Sequence, residues 1–274
     1  MADAPPKYHY APSLAAAILF AVLFGLSGLV HAYQLAKGRT WYLLAFFIGV
    51  LFEVIGHAAR AYNATEDNPN WSDIPFIMQT LLLLLAPALF AASIYMILGR
   101  LIRALDAEHL SLIRTRWLTK IFVLGDILSF VVQGIGGGIM AGADNKDKVN
   151  LGQNAILVGL GIQILFFVGF IIVISIFHYR IRNQPTRISQ ETTLPWDQYI
   201  LVLYFVSVLI MIRSIFRVAE FAAGQESVLQ TSEAFLYCFD TALMFLCSCV
   251  FNLRHPSRVV RSTYKSVEAL ELEN

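Results

Sequence analysis

Residues 212–221 read IRSIFRVAEF, which sets Arg213, Arg217 and Glu220 at i, i+4 and i+7 inside an otherwise apolar run. On a helix that spacing gathers all three on one stripe. Residues 53–60, EVIGHAAR, repeat the pattern with Glu53, His57 and Arg60. Asp126, Ser129 and Gln133 share one face of a further apolar run, and Glu233 and Asp240 stand at i, i+7 in the last one. Ionisable groups in such surroundings are costly unless paired or reached by water, and in a membrane they face the bundle interior. Interhelical hydrogen bonds between membrane helices are often worth only ~1 kcal/mol, so tying helices together accounts for a few of these groups and poorly for the set. If all are ionised, Glu53, Asp126, Glu220, Glu233 and Asp240 outnumber Arg60, Arg213 and Arg217. The surplus predicts either a pocket for a cationic headgroup or carboxylates held protonated there, with Glu53 and Asp240 the chief partners of the arginines.

Other chemistries lack their residues. No G-x-x-x-x-G-K-[ST] occurs, so the sequence carries no Walker-type ATP site. The last apolar run has no lysine for a Schiff base. Of the six histidines only His57 lies well inside an apolar run, which argues against a zinc hydrolase; His31 and His178 fall at run ends and predict interfacial side chains. No cofactor is expected. No basic patch interleaved with aromatics stands outside the apolar runs, so nucleic acid is not an expected partner. Cys238, Cys247 and Cys249 share the last run and read as small packing residues.

The elements that must position these stripes follow from composition. The chain is 57% hydrophobic and 14% charged, well outside the range of soluble domains. Seven apolar segments, at about 13–35, 41–62, 74–99, 117–141, 152–178, 198–222 and 232–253, are each long enough to cross a ~30 Å hydrocarbon core at ~1.5 Å per residue. The reading is an all-α integral membrane protein with a seven-helix bundle, a short tail at 1–12 and a basic tail at 254–274. No leader is read at the start, and the segments near 100–116 and 179–197 have room for a helical turn or two. Pro87 inside the third segment predicts a kink. The glycines of QGIGGGIMAG, 133–142, predict close packing or a broken helical end.

Lys and Arg fall on one side of this topology. Lys37, Arg39, Arg100, Arg103, Arg114, Arg116, Arg180, Arg182, Arg187, Arg254, Arg258, Arg261 and Lys265 share a side, against Lys7, Lys146 and Lys148. The positive-inside rule then expects the N-terminus outside and the C-terminus in the cytosol, with the tail against an anionic leaflet. Both N-x-[ST] sequons, at Asn63 and Asn70, fall in the loop this places outside, Asn63 close to the membrane. In this frame the polar stripes form a pocket open to the outside.

The blocks YxPS before the first segment, EVIGHAAR, LLLLLAPALFAASIYMILGR, DILSFVVQGIGGG and IRSIFRVAEF…SEAFLYCFD resemble, in order and over nearly the whole chain, those of the fungal RTA-like family. Members are also called lipid-translocating exporters. His57 stands where the family commonly has tyrosine. The resemblance implies a seven-span fungal membrane protein associated with release of sphingoid long-chain bases, phospholipid asymmetry, aminosterol resistance or porphyrin handling. Its partners are then membrane lipids or amphipathic small molecules, and its place is a membrane, the plasma membrane by preference. Export of cationic amphiphiles by a non-enzyme is the preferred reading. A seven-span lipid or stress sensor is the alternative, and an intramembrane cyclase using Asp126, Glu53 and Asp240 as acids is a third.

Overall fold

A computed structural model describes residues 10–66, 71–141, 145–192, 194–224 and 227–256. Seven helices in it are long and apolar enough to cross a membrane: Leu14–Gly38, Trp41–Asn63, Asp73–Ala104, Thr115–Met140, Lys146–Asn183, Trp196–Ala222 and Glu233–Leu253. These are the first to seventh spans below, and the chain is an integral, multi-pass membrane protein. Several outrun the apolar segments read from sequence. The third continues to Ala104 and the fifth starts at Lys146, because a helix extends through amphipathic ends that a hydropathy window misses. Large apolar side chains such as Leu29, Leu124 and Leu165 stand exposed on the helix outsides. In water that surface would be a liability, and in hydrocarbon it is the solvent contact.

Each span packs on its neighbour in sequence, the seventh closes against the first, and the third meets the sixth across the middle. The third and sixth are accordingly the most buried. Close approaches are set by missing side chains. A Cβ at Gly136 would lie 2.6 Å from the Gly152 carbonyl oxygen, and one at Gly159 would lie 2.9 Å from that of Ser129, so the fourth and fifth spans touch backbone to backbone. The fourth helix runs unbroken to Ala141, and of its glycines at 134–138 Gly136 serves packing while Gly134, Gly137 and Gly138 meet open space.

The end of the bundle that carries the N-terminus is called the N-face here, and the other the C-face. On the C-face the connections are pinned by hydrogen bonds to backbone carbonyls. Thr186 donates to Leu105 (2.6 Å), Arg180 to Leu110 (3.2 Å) and the Trp196 indole to Ser189 (3.1 Å). The connections hold a 3-10 turn, Glu108–Leu110, and a short helix, Arg187–Glu191. On the N-face, Ser13 caps the first span by accepting from the Ala16 N–H (3.3 Å).

Candidate functional site

Arg213 and Arg217 of the sixth span meet the third and seventh spans at an irregular point in each. Pro87 has no N–H, so the Leu83 carbonyl four residues earlier loses its helical partner. Arg213 of the sixth span reaches across the centre and donates to that carbonyl at 3.0 Å. In the seventh span the helix widens into a π turn over Tyr237–Thr241, which contains Asp240. Such turns recur where a helix must re-aim a side chain. Here Asp240 receives two guanidiniums, Arg213 on Oδ1 and Arg217 on Oδ2. Arg217 also donates to Glu220 at 3.0 Å. Arg213 and Asp240 are buried to 1% and 4% exposure, so their charges are stabilised by each other and not by water.

A second group sits at the N-face. Arg60 donates to Glu233 (2.6 Å from Nη2, 3.1 Å from Nε) and to the hydroxyls of Tyr10 (2.7 Å) and Tyr237 (3.3 Å). Its remaining nitrogen faces Gln79 Oε1 at 3.4 Å. Glu233 in turn accepts the Ser13 N–H at 2.9 and 3.1 Å, which straps the segment before the first span onto the start of the seventh. Burial pushes the Tyr10 phenol up, against the opposing pull of Arg60. It is a hydrogen-bonding phenol at physiological pH.

Glu53 departs from expectation. It pairs with no arginine; its carboxylate lies 3.6 Å from His57 Nε2, both side chains fully buried. His57 is held among the rings of Phe20, Phe24 and Tyr237, with centroids at 5.8, 5.9 and 6.0 Å. Of the four carboxylates in this region, Glu53 is therefore the one not spent on a guanidinium. The stripes are also less open than expected, since their ion pairs close on one another. Arg217 and Glu220, at 13% and 11% side-chain exposure, keep limited access to solvent, as does Glu233 at 15%.

Asp126 and Gln133 do not join this network. Gln133 bonds Ser129 (2.6 Å) and reaches Gln163 of the fifth span at 3.4 Å, while Ser129 donates to the Gly159 carbonyl at 2.7 Å. Asp126 is buried beside Tyr95, with neither oxygen in hydrogen-bonding geometry. Other expectations also change. His31, read as interfacial, is 4% exposed and hydrogen-bonded to the Ser248 carbonyl at 3.2 Å, because the first helix runs on to Gly38 and leaves it inside the bundle. His178 keeps its place near an end and meets Asp197 at 3.3 Å. Asn63 is fully buried, a poor glycan acceptor, and Asn70 lies outside the described residues, as do Arg258, Arg261 and Lys265. Among the described residues no three His, Cys, Asp or Glu side chains gather as a metal site. Sequence reasoning missed Tyr10, Gln79, Tyr237 and the Leu83 carbonyl. The tyrosine of YxPS and Pro87 were the available signals.

A family model described as RTA1 like protein matches residues 46–263. Protein RTA1 of Saccharomyces cerevisiae is 35% identical, covering 96% of this chain and 89% of that protein. Protoporphyrin uptake protein 1 of the same species is 33% identical over 90% of each chain. Its sphingoid long-chain base transporter RSB1 is 25% identical, over 93% of this chain and 75% of the relative. No solved structure matches the chain.

Proposed function

The chain belongs to the RTA1-like family, and on that premise we propose that it moves amphipathic lipids across a membrane, holding a cationic headgroup at the cluster of the second, sixth and seventh spans. The observation that carries this is the carboxylate surplus. Glu220, Glu233 and Asp240 pair with Arg60, Arg213 and Arg217, and Glu53, set against His57, is a fourth carboxylate beside them. An arriving ammonium exchanges with Arg217 at Glu220, the part of the pairing with access from the N-face, while its tail stays between helices in lipid. Relatives named for a sphingoid base and for protoporphyrin support an amphiphile as cargo. With no Walker motif in the sequence, movement follows a gradient or exchanges protons. The test is purified protein in liposomes with a fluorescent sphingoid base. Protein-dependent crossing, lowered by Glu220→Gln, is expected; saturable binding without crossing would replace transport by sensing.

By the positive-inside rule the basic residues of the C-face support a cytosolic C-face with the cluster toward the outside, and our reading takes the membrane to be the plasma membrane. A C-terminal tag on intact cells is then protected from external protease and an N-terminal tag is cleaved. The reverse pattern turns the cluster toward the cytosol and removes the case for a headgroup site that opens to the outside.

A further inference from the structure

The opposite end of the bundle holds a polar cavity that the cluster leaves without a role. It lies at the C-face between the first, sixth and seventh spans, has a volume of about 310 Å³, and its wall includes Gln34, Gln198, Tyr199, Asn252, Arg254 and His255. Ligand pockets begin at about this size, ~300 Å³. Two tyrosines hold the wall in place: Tyr199 donates to the His255 carbonyl (3.3 Å) and Tyr42 to the Pro256 carbonyl (3.0 Å).

What the wall leaves unspent defines what it would take. The Gln34 amide nitrogen donates to the Asn252 backbone carbonyl (2.8 Å), and the Asn252 amide nitrogen donates to the Ser27 hydroxyl (2.6 Å). These bonds orient both amides and leave Gln34 Oε1 and Asn252 Oδ1 buried with no donor. Buried acceptors without donors are costly, so a ligand that supplies one is favoured. Arg254 is exposed and spends one N–H on Gln198 Oε1 at 2.8 Å, so most of its fork is free. Burial pushes the His255 imidazole down to about 4, so it is neutral at physiological pH and Arg254 supplies the positive charge. No carboxylate is among the described residues of the wall. The cavity therefore offers a place for an anion and, beside it, two acceptors for an N–H or O–H. Leu253, also in the wall and 82% exposed, continues it onto the lipid-facing surface.

We propose that this cavity seats the headgroup of a phospholipid bearing a hydrogen-bond donor, with its phosphate at Arg254 and its primary amine at Gln34 and Asn252. A quaternary ammonium has no N–H to give these oxygens, so choline lipids fit the anion half alone. This site needs only the membrane placement of the chain and stands whether or not the protein transports. The test uses the full chain in detergent, with native mass spectrometry and thermal unfolding read against added dioleoylphosphatidylethanolamine, dioleoylphosphatidylcholine and free O-phosphoethanolamine. The ethanolamine lipid is expected to bind about tenfold more tightly than the choline lipid, the worth of one charge-assisted hydrogen bond. Asn252→Leu should erase that preference. Arg254→Gln, an exposed change that spares folding, should weaken both lipids alike and serves if Asn252→Leu does not fold. Equal binding of the two lipids overturns the proposal, as does indifference to Arg254→Gln. Free phosphoethanolamine binding as tightly as the lipid would make the ligand soluble. A preference that appears only after removal of residues 257–274 would mean that the chain's own tail fills the cavity.

Discussion

Asp240→Asn is expected to cost roughly 3–5 kcal/mol of stability, because it removes the shared partner of two buried guanidiniums. The two are not left in the same state. Arg217 keeps a carboxylate in direct contact, Glu220 at 3.0 Å, whereas the hydrogen bond that Arg213 keeps is to the neutral Leu83 carbonyl and Glu53 acts on it only through space. The unpaired charge therefore resides on Arg213. Second-site changes should reveal this: Asp240→Asn with Arg213→Gln recovers more stability than Asp240→Asn with Arg217→Gln. Thermal unfolding in one detergent, with all variants at equal concentration, gives the ranking. The reverse ranking would mean that Arg217 carries the buried charge and that the Asp240–Arg213 pair is secondary. A refolded double variant should still fail to move a sphingoid base in liposomes if the cluster binds the headgroup.

The parts of this network legible in the sequence were those that break the hydropathy pattern. A carboxylate or guanidinium inside an apolar run announces itself, and the i, i+4, i+7 spacings assigned Arg213, Arg217 and Glu220 to one stripe. The register between spans was not legible. Glu53 had the right type and depth to pair an arginine, yet the second span sets it against His57 on its own helix. Asp126 had the same credentials, but the fourth span packs on the fifth through Gly136, Gly152 and Gly159 and carries it elsewhere. The π turn that aims Asp240 leaves no mark in composition, and it comes from packing, as does the burial of His31 against Ser248. Small polar residues such as Ser27, Ser248 and Asn252 disappear into an apolar average, which is why the C-face cavity had no signal in the sequence.

Arg213→Met is the second large effect, and its partner mutation is on the third span. Losing Arg213 breaks a buried ion pair at a cost of roughly 3–5 kcal/mol, and it also strips the Leu83 carbonyl of the donor that replaced its helical one. That second component exists only because Pro87 cannot donate. Pro87→Ala supplies an N–H at the position from which Leu83 expects one. In the Arg213→Met background it should therefore recover about 1 kcal/mol, the net worth of a hydrogen bond. In the wild-type background the same change gives Leu83 a second donor that competes with Arg213, so its benefit should be smaller. The double-mutant cycle then shows a coupling of about 0.5–1 kcal/mol between residues on different helices. Calorimetric or denaturant unfolding of the four proteins measures it. Additive effects would mean that the Arg213–Leu83 contact contributes nothing to stability and that Pro87 is tolerated for some other reason. Coupling of the expected sign would establish that the central arginine serves two irregular helices at once, holding the π turn through Asp240 and the proline turn through Leu83.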